Sequence, residues 1–138
     1  MKERLHTADH ILFTVLENKF KVRTKAMEFK EDSCRVDYEC ENDLRPLKEE
    51  LEQDVNKVIS EARDVVSYEL PRDKAKEITD LSLVPETVGE INVYEIVGFN
   101  KVACAGSHVK NTKEIGKFRI TKIEKKGKNS YSIKYTVE

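Results

Sequence analysis

The 138-residue sequence predicts an α+β fold, a two-layer sandwich of a mostly antiparallel sheet packed by helices. Two observations support this prediction. Segments with the three-and-four apolar spacing of core-facing helices occur in mixed order with short runs rich in Val, Phe and Tyr, which favour strands. The chain is also long enough for one domain with a core and too short for two ordinary domains, so we expect residues 1–138 to form a single domain.

Three segments are predicted as helices. Residues 5–20 repeat apolar side chains at helical spacing and contain no Pro or Gly. The second helix, near residues 46–63, is predicted to be the longest, because residues 42–46 offer a cap followed by a proline suited to a first helical turn. Residues 71–78 are predicted to form a short helix.

The remaining segments are predicted as strands, bounded by charged or glycine-containing turns. Two of them form a hairpin early in the chain, and two form a closing hairpin across residues 125–129. The predicted strands are residues 20–29, 33–40, 65–70, 91–97, 116–124 and 130–137. The strand at 91–97 leads on towards Cys104.

Charge and hydropathy limit the function classes. The chain has 25 basic and 26 acidic residues, so its net charge alone suggests no nucleic-acid partner. The charges are unevenly placed, however, since ten Lys or Arg and only three Glu lie from Lys101 onward. No apolar run approaches the ~20 residues of a membrane span, and the first residues do not lead into a signal-peptide core. We therefore expect a soluble, cytoplasmic protein without a membrane partner.

Two of the three cysteines are predicted to be reduced. Cys34 and Cys40 are six residues apart in a predicted strand, which would separate them by ~20 Å, far beyond disulfide reach. We expect both to be buried thiols.

The third cysteine and all three histidines form two pairs with equal spacing, His6 with His10 and Cys104 with His108. The first pair lies one turn apart on a predicted helix, and the second follows a predicted strand. Neutral imidazoles and a thiolate are good zinc ligands, and four of them meet the tetrahedral preference of zinc. The HExxH metalloproteases use the same histidine spacing, but Thr7 stands here in place of their glutamate base.

Several residues near these pairs have two open interpretations. Gly106 lets the backbone turn sharply between two ligands and lets a substrate approach closely, or it is only a turn glycine, and these two interpretations are compatible. Ser107 hydrogen-bonds a ligand or substrate, or faces solvent. Asp9 accepts a hydrogen bond from an imidazole, or also faces solvent. Asp37 is expected to be structural.

These motifs resemble the editing domain of alanyl-tRNA synthetase in its free-standing, AlaX-type form. The resemblance rests on the first pair with its continuation His-Thr-Ala-Asp-His-Ile-Leu, and on the second, Cys-Ala-Gly-Ser-His-Val-Lys-Asn-Thr-Lys-Glu-Ile-Gly. It extends to Arg35-Val-Asp-Tyr38, similar to an RFDF-like strand, and to Val55-Asn-Lys-Val-Ile59, similar to a VNxxI helix. Two departures leave substrate preference and one tRNA contact open: Ala105 replaces a glycine, and residues 129–133 lack an arginine pair.

The resemblance implies a zinc-dependent aminoacyl-tRNA deacylase. Its substrate would be alanine tRNA mischarged chiefly with serine or, alternatively, with glycine. The implied zinc ligands are His6, His10, Cys104 and His108. Because the first motif begins six residues from Met1, the resemblance also implies editing in trans, without a preceding synthetase domain.

Catalysis by such a site needs an open coordination position. We therefore expect three firm ligands, with His108 loosely bound or displaced during catalysis. Zinc would either activate the attacking water or only position the substrate. Thr24 is a candidate to bond the serine hydroxyl, and its alternative interpretation is an ordinary strand threonine. The candidate tRNA contacts share a basic charge near or after the second pair: Lys110, Lys113, Lys117, Lys126 and Lys128.

Two other functions remain as alternatives. One is threonyl-type editing, the removal of serine from threonine tRNA. The other is a non-catalytic, zinc-stabilised module that binds tRNA. A closed four-ligand zinc without a pocket would favour the module, and an open cleft beside the metal would favour the hydrolase. The oligomeric state stays open.

Overall fold

The computed structural model describes residues 2–79, 81, 84–104 and 106–138. Within these residues the helices pack against two antiparallel sheets, which confirms the predicted α+β class. The helices are α1 (Lys2–Lys19), α2 (Lys48–Ser60) and α3 (Arg72–Ala75), with 3₁₀ turns at Arg45–Leu47 and Thr112–Ile115. The strands are β1 (Val22–Phe29), β2 (Ser33–Cys40), β3 (Val65–Pro71), β4 (Glu90–Ile96), β5 (Asn100–Ala103), β6 (Phe118–Gly127) and β7 (Ser130–Val137).

The strands form two sheets. Four strands pair in the order β1-β2-β7-β6, and three pair in the order β3-β4-β5. The strand predicted at residues 91–97 does not continue straight to Cys104. It is the first half of a hairpin, because the chain turns at Gly98, whose φ is 77°. This turn returns the chain as β5, which ends immediately before Cys104. The last hairpin is also tighter than predicted, since β6 continues to Gly127 and Asn129 adopts a φ of 58° in the turn.

The longest helix is α1, with 18 residues, and the prediction that the helix near 46–63 would be longest is wrong. That helix, α2, has 13 residues, because the chain before Lys48 forms a 3₁₀ turn and Ala62 takes a φ of 50°. In contrast, α1 extends back to Lys2. Its first turn is fixed by Arg4, whose guanidinium Nε and Nη2 donate hydrogen bonds of 3.0 and 2.8 Å to the Ile115 carbonyl.

The main core lies between α1, α2 and one face of the four-stranded sheet. Alternate residues of β2 and β7 face this core, as the period-two pattern of a half-buried strand requires. Cys34 and Cys40 are two of them, and both are free and buried, which confirms the prediction of buried thiols. A smaller core of Ala75, Leu81, Ile91 and Val93 lies on the three-stranded sheet.

None of the helices in the described part of the chain is both long and apolar enough to cross a membrane.

Replacing Gly116 by alanine is expected to destabilise the fold strongly. Gly116 has φ 83° and ψ −148°, a region reserved for glycine, and an added Cβ would overlap the Glu138 carbonyl oxygen and lie 2.7 Å from Arg4 Nη2. We expect the free energy of unfolding to fall by about 2–4 kcal/mol, measured by urea denaturation. Gly127→Ala is the matched control, because its new Cβ would meet its nearest neighbour at 4.0 Å. Equal losses in the two variants would contradict this account.

Candidate metal centre and adjoining cleft

Four potential ligand atoms converge where α1 meets the segment after β5. His6 and His10 project from α1, and the atoms that they offer lie within 4.8 Å of those of Cys104 and His108. Cys104 Sγ is 3.2 Å from His6 Nε2, and His10 Nε2 is 2.6 Å from His108 Nε2. Around a tetrahedral zinc such atoms are roughly 3.3–3.6 Å apart, given bond lengths of about 2.0–2.3 Å. Small side-chain shifts would therefore suffice, and the donor set fits zinc.

The chain around His108 fixes the orientation of that imidazole. Its Nδ1 lies 3.1 Å from the Gly106 carbonyl oxygen, so Nδ1 donates and Nε2 keeps its lone pair for a metal. The ring also packs on Tyr94, with 3.8 Å between centroids. One residue later, the Val109 N–H donates a 3.1 Å hydrogen bond to Thr7 Oγ1, which ties the second pair to the helix that carries the first.

Gly106 is needed because the chain passes directly against a ligand ring. A Cβ at this position would overlap His6 Cε1 and Nδ1. Close packing on His6 therefore explains the glycine at this position. Ser107 is exposed, and it is its backbone that hydrogen-bonds His6. Ala105, which replaces a glycine of the family pattern, lies outside the described part of the chain.

The histidines are held in the neutral form that binds metal. Burial lowers the pKa of His10 well below its usual value, and the neighbouring imidazoles His108 and His6 lower it further. Burial, with a smaller contribution from His6, lowers the pKa of His108 to about 4. Burial also lowers the pKa of His6. Metal binding at pH 7 therefore needs no displacement of protons from these rings.

Asp9 matches neither of its two expected roles. It is 6% exposed, and its Oδ1 accepts a 3.4 Å hydrogen bond from the Tyr38 hydroxyl instead of one from an imidazole. Burial raises the pKa of this carboxyl to about 7, and the bond from Tyr38 only partly offsets that effect. Asp9 is thus a buried acid beside the candidate metal ligands.

An open cleft of about 510 Å³ adjoins the ligands, between α1, β1 and β5. His6, His10, Asp9 and Thr24 all line it. Thr24 stands next to a β-bulge, where the pairing of β1 with β2 shifts between Thr24 and Ala26. Bulges re-aim side chains and are common beside active sites. The predicted contact residue Thr24 therefore shares one cavity with two of the predicted ligands, His6 and His10.

Sequence reasoning missed Asn100, which also lines this cleft. Its Nδ2 hydrogen-bonds Thr14 Oγ1, while its buried Oδ1 has no hydrogen-bond partner among the residues that the structure describes. The only signal in the sequence was a polar residue a few positions before Cys104.

Comparisons with known proteins point to tRNA synthetase domains and alanyl-tRNA editing proteins. The family model described as "Threonyl and Alanyl tRNA synthetase second additional domain" matches residues 91–131, which include Cys104 and His108. The alanyl-tRNA editing protein AlaX-M of Methanosarcina acetivorans is 34% identical over 139 residues, covering 97% of this chain and 57% of the relative. The chain is thus similar to this second additional domain over residues 91–131, and to an alanyl-tRNA editing protein over nearly its whole length.

Other similar proteins carry related names. AlaX-M of Saccharolobus solfataricus is 32% identical, with 98% of this chain and 58% of the relative covered. An alanine–tRNA ligase of Mycoplasmopsis synoviae is 30% identical over 96% of this chain and 16% of the ligase. The chain spans a little over half the length of the AlaX-M relatives that it matches.

The lysines predicted to contact tRNA fall into two groups. Lys110, Lys113 and Lys117 lie on the segment that follows His108, around the second 3₁₀ turn. Lys126 and Lys128 lie at the hairpin between β6 and β7. This hairpin is close to the Val22 end of β1, because the Asn129 carbonyl accepts a hydrogen bond from the Cys40 N–H and Cys40 pairs with Val22. His6 contacts Phe29 at the other end of β1. The two ends of β1, Val22 and Phe29, are seven residue steps apart, or roughly 23 Å. Lys126 and Lys128 are therefore near the end of β1 that lies away from His6.

Proposed function

We propose that this domain is a zinc-dependent aminoacyl-tRNA deacylase that removes serine from mischarged alanine tRNA in trans. The observation that carries the proposal is the open cleft beside the ligand cluster, because a purely structural zinc site is normally closed. The alanyl-tRNA editing names of the relatives support the same activity. Release of serine from Ser-tRNA(Ala), with Ala-tRNA(Ala) as the resistant substrate, is the test.

His6, His10, Cys104 and His108 would hold the zinc ion. When bound, zinc supplies a Lewis acid that lowers the pKa of water and stabilises negative charge on the ester oxygen. His6 and His10 are anchored on the helix α1, whereas His108 lies in a segment without regular structure. Although the Gly106 carbonyl and Tyr94 orient the His108 ring, we propose for this reason that His108 would be the ligand to yield to water or substrate.

The cleft offers a suitable partner for each polar group of a seryl ester. The Thr24 hydroxyl can exchange a hydrogen bond with the serine hydroxyl, and the Asp9 carboxylate can face the α-ammonium group. An ammonium group near Asp9 would favour the ionised carboxylate. Alanine would leave the Thr24 hydroxyl without its partner, and this difference supplies selectivity.

Replacing Thr24 by valine is expected to weaken discrimination between serine and alanine. The variant keeps the size of the side chain but loses its hydroxyl, so the ratio of kcat/KM for Ser-tRNA(Ala) over Ala-tRNA(Ala) should fall about tenfold or more. Thr121→Val, on an exposed position of β6, is the matched control. An unchanged ratio in Thr24→Val would remove Thr24 from the serine contact.

Binding of tRNA is expected to weaken steeply with salt. Replacing a lysine that contacts a phosphate by glutamine should lower the slope of log K, where K is the association constant for tRNA, against log [salt] by about one. The lysines to replace are Lys110, Lys113 and Lys117. Filter binding at several salt concentrations measures the slope. Lys48→Gln, at the start of α2, is the control and should leave it unchanged. An affinity of the unsubstituted protein that does not depend on salt would contradict the proposed phosphate contacts.

One observation favours a second candidate. Four protein ligands would fill a tetrahedral zinc shell, as in a non-catalytic module that binds tRNA. Such a module would bind alanine tRNA without releasing any amino acid. Threonyl-type editing, which the family description also covers, would appear as release of serine from Ser-tRNA(Thr).

A further inference from the structure

A polar pocket of about 230 Å³ lies on the face of the four-stranded sheet that points away from α1. Arg35 and Asp37 of β2 line this pocket, and they alternate with the buried core residues of that strand. Ser132 of β7 lies between Asp37 and Glu124 of β6, because it pairs with both of them. The sheet therefore separates the pocket from the candidate metal centre and its cleft.

Three polar atoms of this pocket are buried and have no hydrogen-bond partner among the residues that the structure describes. They are Arg35 Nε, Asp37 Oδ1 and Ser132 Oγ. Ser132 as a whole is 2% exposed. Arg35 Nε and Asp37 Oδ1 are 3.6 Å apart, which is too far for a hydrogen bond between them. Because buried polar atoms are nearly always paired, this group of atoms is incomplete without an added molecule.

The pocket also carries more positive than negative charge. Lys126 and Lys134 line it together with Arg35, and the carboxylates of Asp37 and Glu124 oppose them. Glu124 is already paired with Lys126 at 3.4 Å, whereas Lys134 has no ion-pair partner in the described part of the chain. The hairpin of β6 and β7 as a whole carries six basic residues and one acidic residue. An anionic ligand therefore suits this face of the sheet.

The unpartnered groups match one ribose–phosphate unit of an RNA strand. Arg35 Nε, the Ser132 hydroxyl and the Lys134 ammonium can all donate hydrogen bonds to phosphate oxygens. Asp37 Oδ1 needs a donor, which a phosphodiester lacks but the adjoining ribose 2′-hydroxyl supplies. The pocket is several times larger than the roughly 30 Å³ that one water molecule occupies in the liquid. It therefore has room for more than a bridging water.

We propose that this pocket binds the tRNA backbone through one phosphate and one 2′-hydroxyl. The proposal rests on the proposed function, which supplies tRNA as the partner, and it adds a contact on the opposite face of the sheet from the cleft. The basic hairpin attracts the strand, and Asp37 distinguishes RNA from DNA. Lys126 and Lys134 are exposed, so their long side chains can turn aside as the strand enters.

Replacing Ser132 by alanine tests the phosphate contact. Filter binding should show that the affinity for tRNA falls about fivefold or more, because the phosphate loses one donor. The kcat/KM for Ser-tRNA(Ala) should fall by a similar factor, mainly through a higher KM. Ser33→Ala is the matched control, since Ser33 lies on the same face of the sheet but outside the pocket. Thermal unfolding should show that both variants fold.

Replacing Asp37 by alanine tests the contact with the 2′-hydroxyl. The unsubstituted protein should bind tRNA more tightly than a DNA of the same sequence, and this preference should shrink about fivefold in Asp37→Ala. Glu39→Ala is the control, because it removes a negative charge from the same strand and face outside the pocket. The preference for RNA should stay unchanged in Glu39→Ala. An equal preference in the two variants would overturn the 2′-hydroxyl contact.

Hydrolysis by the unsubstituted protein, measured in parallel, separates this proposal from the proposed function. Equal tRNA affinities for Ser132→Ala and Ser33→Ala, with normal release of serine, would mean that the pocket holds ordered water only. That result would overturn the backbone site and leave the deacylase standing. A tRNA affinity that depends on Ser132, without release of any amino acid, would support the backbone site and overturn the proposed function.

Discussion

Cys104→Ala is expected to abolish deacylation and to strip the metal. The substitution removes the only thiolate of the ligand cluster, and three imidazoles then remain to hold the ion. We expect the affinity for zinc to fall on the order of 100-fold or more, and deacylation to fall on the order of 1,000-fold, because the charge stabilisation supplied by the metal is lost with it. Zinc content and serine release from Ser-tRNA(Ala) measure the two effects.

Cys40→Ala is the matched control for this substitution. Cys40 is a free cysteine at the far end of β2, 2% exposed, and it lies outside the ligand cluster. The control should keep one zinc per chain and its deacylase activity, with only the modest loss of stability that follows from removing a small buried side chain. Full activity in a zinc-free Cys104→Ala protein would rule out a role for the metal.

Gly106→Ala is expected to damage the metal centre while preserving all four ligands. The added methyl group would overlap the His6 ring, so either the ring or the backbone that carries Cys104 and His108 must move. We expect zinc affinity and kcat/KM to fall at least about tenfold, since ligand geometry within a fraction of an ångström decides affinity. Competition with a chromophoric chelator measures the affinity.

The control for Gly106→Ala is again Gly127→Ala, which places its methyl group 4.0 Å from its nearest neighbour. The absorption spectrum of the cobalt-substituted protein adds a direct view of the ligand geometry. The spectrum should change in Gly106→Ala and stay the same in Gly127→Ala. Unaltered metal affinity in Gly106→Ala would show that the segment after Cys104 can move without cost.

Residues whose environment depends on local spacing were predictable from the sequence. His6 and His10, four residues apart, share one face of α1 as predicted. The alternation of apolar side chains in β2 and β7 also predicted the residues at which these two strands begin and end. The turn at Gly98 was missed, because the apolar residues on either side of it gave one continuous strand pattern. The length of α1 was underestimated for a related reason: Lys2 to Arg4 carry no apolar period, and Arg4 is held by the distant Ile115 carbonyl.

Roles that depend on tertiary contacts could not be predicted. Arg72 resembles any charged residue near the start of a short helix, and only the folded chain brings it to the carbonyls of Val84, Pro85 and Val88. Asp9 lies between two candidate ligands in the sequence, yet its partner Tyr38 belongs to β2. Spacing within one element identifies ligands, but neighbours from other elements define the cavities beside them.

A deacylation panel tests the central claim most directly. The zinc-loaded protein is incubated with Ser-tRNA(Ala), Gly-tRNA(Ala), Ala-tRNA(Ala) and Ser-tRNA(Thr), before and after removal of the metal by a chelator, and amino-acid release is followed. The account predicts fast release of serine from alanine tRNA, little release of alanine, and loss of activity without metal that returns when zinc is restored. Tight tRNA binding without release from any substrate would contradict it and leave the non-catalytic module.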